Sequence, residues 1–229
     1  MRDGDSVAPQ APLRAGVATS VACAVALVVL VLVLGVLRPP RPSSIATDRL
    51  GPDSGEQVAE YLDRARTSLA GPDASSPRWA LVSFDPEQTA AQAYRTADGV
   101  RVSQVLFRVP LDRIQTQLIV VDVAGEESVL RAPAVAAGRL SGSTGEWDRQ
   151  ARIDSVSSSR LAQDCPCVVG LTVRGDPDRL RALAAAPGVR AVEALPADGV
   201  FGRFAVNPLL PEQTQTASPG PDDGEVPAR

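Results

Sequence analysis

From Ala15 to Leu37 the chain reads AGVATSVACAVALVVLVLVLGVL, an apolar run without a charge, closed by Arg14 on one side and by Arg38 and Arg41 on the other. At helical rise this run measures about 34 Å, enough for a hydrocarbon core of about 30 Å. It is expected to be a transmembrane helix with the lipid bilayer as its partner, and it separates a short N-terminal tail from a much larger C-terminal part. A cleaved secretory signal would carry a shorter apolar stretch of roughly 7 to 15 residues and a small-residue cleavage site. A lipoprotein signal would place its apolar run before Cys23, whereas most of this one comes after it. Cys23 reads as a small apolar residue of the span.

Residues 1–14 are then a short tail, expected in the cytoplasm. Arg2 and Arg14 stand against Arg38, Arg41 and Arg49 on the other flank, and by the positive-inside rule this count slightly favours the opposite orientation. The expectation of a cytoplasmic N-terminus rests instead on the habit of chains with a very short tail and one signal-anchor helix. Residues 38–52, opening with RPPRPSS, are expected to be a stalk, because proline favours extended polyproline II and removes amide donors. Residues 53–206 are expected to fold outside the cytoplasmic membrane. Residues 207–229, rich in Pro, Gly, Thr and Asp, are expected to be disordered, since they hold too little apolar surface to offset the entropy of ordering.

Within the folded part the informative pattern is a repeat. WALVSF, Trp79–Phe84, is followed by Asp85-Pro86, a helical stretch to about Arg95, and Gly99-Val100-Arg101 opening a strand over 100–109. CVVGLTVR, Cys167–Arg174, is followed by Asp176-Pro177, the helical DRLRALAAA, and Gly188-Val189-Arg190 opening VRAVEAL. Each copy predicts a strand-helix-strand crossover whose two strands lie parallel in one sheet, with Asp-Pro as N-cap and first turn. Two interleaved copies make a ferredoxin-like arrangement. The expected fold class is therefore α+β: one transmembrane helix, then a ferredoxin-like domain with an inserted strand and helices. The inserted strand is QTQLIVVDV, Gln115–Val123, joined to the strand over 100–109 by a short connection.

Before the first copy, Val58, Tyr61, Leu62, Ala65 and Leu69 recur with helical spacing behind a capping-box pattern at Ser54 and Gln57. Between the copies, EESVLRA reads as a helix interrupted near Pro133, followed by a capping-box-like Ser143 to Glu146 and a helix containing Trp147, Ala151 and Ile153. With aromatic residues at 3% of the chain, the core must be made of Val, Leu and Ala. A domain of about 150 residues can do this by burying near 70% of its unfolded surface.

Residue types narrow the chemistry. The chain has no histidine, and every basic residue is arginine. That removes the usual general base, the commonest metal ligand, the Schiff-base amine and the lysine of a phosphate-binding loop. Arginine stays protonated and donates only, which suits anion contacts rather than proton transfer. No catalytic, metal or cofactor residue is expected, and the net charge of −4 gives a nucleic-acid partner no support.

Three motifs remain. In DCPCVVG, Asp164–Gly170, an extended backbone would put Cys165 and Cys167 on one face. Pro166 would hold their Cα atoms near the upper separation for a disulfide. The pair is read as a structural disulfide or buried thiols, with an intermolecular bond or a redox role as the alternatives. GRLSGSTG, Gly138–Gly145, lacks the lysine and the preceding strand of a phosphate loop and reads as a connector. Asp122, Glu126 and Glu127 near a strand end read as solvated caps.

The stretch LRALAAAPGVRAVEALPADGVFGRFAV, Leu180–Val206, continued by NPLLPEQ, runs helix, Pro-Gly-Val, strand, turn, strand. In this order it is similar to the end of a POTRA module, which stands after a single membrane helix in division and secretion proteins; no functional residue is carried over. The whole layout, with its arginine-only, Ala/Val/Pro-rich composition, resembles the uncharacterised single-pass membrane proteins of actinobacteria, and that resemblance implies location rather than activity. The expected function is that of an anchored interaction or scaffold protein of the cell envelope, without enzymatic activity and with an envelope protein as partner. A thiol-disulfide participant using Cys165 and Cys167, or a small-ligand sensor, are the alternatives.

Overall fold

The computed structural model describes residues 26–27, 48–70, 76–141 and 148–228. The chain divides into two units, Met1–Ser44 and Ile45–Arg229. Of the first, only Ala26 and Leu27 are described; both are helical and exposed, so the expected span at 15–37 otherwise lies outside the described residues, as do the tail 1–14 and the proline stretch. Among the described residues no helix is long and apolar enough to cross a membrane.

The second unit is a mixed α+β fold. Its strands are β1 (Asp48–Leu50), β2 (Arg78–Gln88), β3 (Arg101–Phe107), β4 (Ile119–Asp122), β5 (Val168–Gly175), β6 (Val189–Ala194) and β7 (Phe204–Val206). Its helices are α1 (Val58–Ser68), α2 (Ala90–Thr96), α3 (Glu126–Leu140), α4 (Arg149–Ala162) and α5 (Pro177–Ala184). Five strands form one sheet in the order β4-β3-β5-β2-β6, with every neighbouring pair antiparallel. The strands of each crossover, β2 with β3 and β5 with β6, are thus parallel to one another, separated by a strand of the other crossover. The β3-β4 hairpin extends the sheet at one edge.

One sheet face carries Ala80, Val82, Phe84, Val105, Leu171 and Val173, and α2, α3 and α5 bury Ala93, Val129, Ala136 and Leu180 against it. Alternation along β3 slips where its pairing with β5 shifts between Val102 and Gln104, so that Val102 and Val105, three residues apart, reach the same core. The other face, bearing Leu81 and Ser83, is covered by α1, by the two-stranded parallel ladder β1-β7, and by the C-terminal segment through Leu209. The core is built of Val, Leu and Ala around Tyr61, Phe84 and Phe107.

The repeat holds at its second joint and differs at its first. Gly99 and Gly188 both take positive φ, 79° and 78°, the left-handed turn that only glycine adopts freely between helix and strand. Asp176 and Pro177 are the N-cap and first residue of α5. Asp85 and Pro86, expected to begin a helix, instead lie inside β2, joined by a cis peptide, and the Asp85 N–H is donated to the Gly188 carbonyl. The helix starts at Thr89, whose hydroxyl accepts from the Gln92 N–H while the Gln92 side chain accepts from the Thr89 N–H. This reciprocal cap satisfies two amides at the helix start, whereas the Asp85 amide is already taken by the Gly188 carbonyl.

Other expectations are corrected too. The N-cap of α1 is Gln57, without a side-chain cap, so the Ser54–Gln57 capping box does not form. Pro133 does not interrupt α3; the helix runs through it because Val129, Ala132, Ala136 and Leu140 on both sides of it are buried. Packing there outweighs the missing amide. α4 is capped by Asp148, whose carboxylate accepts from the Gln150 N–H, while Ser143–Trp147 lie outside the described residues.

Structure begins before residue 53, since Asp48–Leu50 pairs with Phe204–Val206. The chain beyond residue 206, expected to be disordered, runs along the domain as far as Ala228. Leu209 is fully buried, Gln57 and Thr216 form a β-bridge, and the Val58 and Gly55 amides donate to the Gln215 and Ala217 carbonyls. The segment needs no core of its own, because it fills that of its neighbours.

Candidate functional site

Arginine is the only cation in the chain, so a binding site made by charge is found by asking where arginines converge. β3 ends at Phe107, and Arg108 comes next with its side chain turned under the loop 110–117: Nε donates to the Thr116 carbonyl at 3.2 Å and Nη2 to Gln115 Oε1 at 3.1 Å. Only 11% of that side chain is exposed, and Glu212 of the C-terminal segment closes an ion pair on it. Five residues on, Arg113 stands at φ 52°, a left-handed conformation that turns the loop back. Arg149, the first residue of α4, faces the same place.

Between Arg108 and Arg113 lies a cleft of about 470 Å³, whose walls include Arg108, Leu111, Ile114, Val169, Pro211 and Pro221. Next to the wall residues Gly220 and Pro221, the acidic segment Asp222-Asp223-Gly224 is held. Asp223 takes two parallel bonds from Arg113, Nε at 2.8 Å and Nη2 at 2.6 Å. Asp222 Oδ1 accepts from the Gln115 backbone N–H at 3.0 Å and from Arg149 Nη1 at 3.0 Å. The Gly224 N–H donates to the Arg113 carbonyl at 2.8 Å, and Arg149 Nη2 to the Gly224 carbonyl at 3.1 Å. The Gln115 amide, then Arg149, lowers the Asp222 pKa below the ordinary carboxylate value, and the Arg113 guanidinium does the same for Asp223. Chemically this is a carboxylate receptor: the Arg113 fork, one nitrogen of Arg149 and one backbone amide converge on adjacent carboxylates.

The Cys165–Cys167 turn adjoins this site. The two sulfurs stand 1.94 Å apart, at bonding distance, with Cα atoms 5.3 Å apart. That separation is in the middle of the disulfide range rather than near its limit, because the backbone is not extended: the Cys167 N–H donates to the Cys165 carbonyl at 2.8 Å, a three-residue turn centred on Pro166. Cys167 is buried and Cys165 half-buried, and the Cys167 carbonyl accepts from the Arg108 N–H at 2.9 Å. The turn thus fixes the start of β5 and the root of Arg108 together.

The remaining candidates are dispersed. Asp122, at the end of β4, accepts from Gln104 Nε2 at 2.9 Å, and Glu126 and Glu127 occupy the first turn of α3, Glu127 pairing with Arg131 at 3.3 Å. Gly138–Ser141 close α3 in helical form, and the rest of GRLSGSTG lies outside the described residues, as does Cys23. No group of His, Cys, Asp and Glu among the described residues could hold a metal.

A second polar cluster lies on the far sheet face. Glu193 of β6, its side chain 6% exposed, accepts from the Gly51 N–H at 2.6 Å and pairs with Arg64, which also holds Glu56 at 2.9 Å. Burial raises the Glu193 pKa, and burial together with the Glu193 charge raises that of Tyr61. This cluster joins the residue after β1, α1 and β6 and so ties the fold together.

The arginine site escapes sequence reasoning because its parts are spread from residue 108 to residue 224. Only the DD pair in a tail and the absence of any other cation point to it. Comparison with protein-family models, with curated proteins and with solved structures finds no match to this chain.

Proposed function

We propose that this chain is a membrane-anchored interaction or scaffold protein of the cell envelope, tethered by residues 15–37 and carrying its large domain outside the cytoplasmic membrane. The order of β3, β5, β2 and β6, with each crossover's strands interleaved with the other's, supports a ferredoxin-like reading of that domain, to which β4 is added at the edge. The observation that carries the function is the receptor of Arg113, Arg149 and the Gln115 amide beside an open cleft, since guanidinium groups suit recognition of acidic groups and not proton transfer.

Two measurements test the reading. Protease added to intact cells should remove the large domain, and full protection would reverse the orientation. Crosslinking of the full chain in the envelope should capture the same proteins repeatedly above a control anchor carrying an unrelated domain; no reproducible capture refutes an interaction role. A second reading, thiol-disulfide exchange, is favoured by the half-buried position of Cys165 beside enclosed Cys167. Attack would fall on half-buried Cys165, because Cys167 is enclosed. Trapping that finds no mixed disulfide with a Cys167→Ser variant, which leaves Cys165 free, refutes that one.

A further inference from the structure

The receptor is occupied by the chain's own acidic segment, and the way it is occupied shows what the site recognises. We propose that Asp222-Asp223-Gly224 is a displaceable internal ligand, and that the Arg113–Arg149 receptor accepts an acidic segment of another protein in its place. This rests on the reading of the chain as an interaction protein and names the chemistry of its partner.

Three observations carry the proposal. First, the recognition is specific in form: two adjacent carboxylates are each met by two donors, Asp223 by both nitrogens of the Arg113 fork and Asp222 by a backbone amide and Arg149, with the next residue clamped by the Gly224 N–H and carbonyl. This arrangement selects an Asp-Asp pair, and an Asn-Asn pair would forfeit the charge assistance.

Second, the occupant is held at the surface. The side chains of Arg113 and Asp223 are 54% and 63% exposed, and those of Arg149 and Asp222 are 36% and 49% exposed, so water can take the place of each carboxylate as it departs. Up to Ala217 the segment is secured differently, by buried Leu209, the Gln57–Thr216 bridge and backbone bonds to α1. The acidic residues can therefore leave while the rest of the segment stays.

Third, a ligand in trans has room that the acidic segment itself does not use. The cleft runs from the Arg113 loop to Arg108 and is walled by Leu111, Ile114 and Pro211, so residues flanking an acidic pair can bury apolar surface there. Because the tethered segment stays at an effective concentration in the millimolar range for a short flexible linker, it competes strongly, and the resting chain should bind such a partner weakly.

The test uses the full chain in non-ionic detergent and a fluorescein-labelled peptide, PGPDDGEVP, read by fluorescence anisotropy at low salt. The double variant Asp222→Asn/Asp223→Asn should bind the peptide at least tenfold more tightly than wild type. Adding Arg113→Gln should abolish that gain, and the peptide PGPNNGEVP should not bind. Amide hydrogen exchange checks the folded state independently: in the double variant Gln115 and Gly224 should exchange faster while β2 and β5 stay protected. The proposal is overturned if the folded double variant binds the acidic peptide no better than wild type does, or binds the Asn-Asn peptide equally well. If crosslinking still finds envelope partners in that case, the interaction role stands and only the partner's chemistry is wrong; if neither is seen, both fail.

Discussion

Replacing Glu193 separates two roles that the structure joins in one side chain. Its carboxylate caps the Gly51 N–H at 2.6 Å and faces Arg64. Glu193→Ala leaves that buried amide without an acceptor, at about 1–3 kcal/mol, and empties part of the space under α1. Arg64 is less affected: its side chain is 43% exposed and keeps Glu56 at 2.9 Å, so the uncompensated charge is solvated and adds little. The expected loss is about 2–4 kcal/mol. Glu193→Gln retains an acceptor for Gly51 while removing a carboxylate that burial disfavours, and should lie within about 1 kcal/mol of wild type at neutral pH.

The pH dependence has its origin in the same shift. A folded pKa raised above the unfolded value contributes stability that is present below the unfolded carboxylate pKa and is lost as pH rises through the folded one. Wild type should therefore lose stability relative to Glu193→Gln as pH increases from about 4 through that range. Urea unfolding of the full chain, followed by near-ultraviolet circular dichroism at several pH values, measures both effects. If Glu193→Gln is as destabilising as Glu193→Ala, or if the difference from wild type runs the other way with pH, the hydrogen bond is not the main contribution and the ion pair with Arg64 is.

How much of the fold is legible in the sequence depends on the range over which each signal acts. The helix over 58–68, both glycine turns and the two crossovers rest on spacing within about thirty residues, where apolar period and turn chemistry are sufficient. The start of α2 is ambiguous in sequence because two valid start signals, Asp85-Pro86 and Thr89-x-x-Gln92, lie close together, and only the pairing of β2 with β5 and β6 selects the second. The C-terminal segment reads as disordered because its order comes from Ser83, Arg190 and the α1 N-terminus, which composition does not weigh. For the same reason the receptor is hidden in the sequence, and of the whole corner only the cysteine pair is visible there.

Four further outcomes are expected. Thr89→Ala should cost about 1 kcal/mol by removing the α2 cap, whereas Asp176→Ala, whose side chain makes no cap bond, should cost clearly less; equal losses in thermal unfolding would contradict the difference between the two crossovers. Gly51→Ala should be severe, on the order of 3 kcal/mol or more, because φ there is 106° and an added Cβ would run into the Asn207 carbonyl; a normal melting curve would refute the β1-β7 junction. Reducing Cys165–Cys167 should lower stability by no more than about 1.5 kcal/mol, since the bond closes a loop of only three residues, and urea titrations with and without dithiothreitol measure it. The acidic segment should release in acid: Asp222 and Asp223 have lowered pKa values, so their contribution is present above the ordinary carboxylate range and is lost as pH falls through the folded values, visible as faster exchange of the Gln115 and Gly224 amides once intrinsic rates are taken into account.

The two crossovers also explain why the receptor lies where it does. In a chain whose cationic side chains are all arginine, the end of β3 and the start of β5 meet at one corner of the sheet, where Arg108 donates its amide to the Cys167 carbonyl. The β3-β4 connection must turn back across that corner, which sets Arg113 at positive φ and exposes the Gln115 amide outward. α4 begins beside it with Arg149, and the same helix ends where the Arg160 carbonyl accepts from the Cys165 amide. Loosening the turn at Pro166 would therefore disturb acidic-peptide binding as well as the start of β5, so a Pro166→Gly variant should weaken PGPDDGEVP binding in the Asp222→Asn/Asp223→Asn background and lower its melting temperature, with the β2 amides still protected at the temperature of the binding assay. Unchanged binding would mean that the receptor is fixed by the 110–117 loop alone, without support from the cysteine turn.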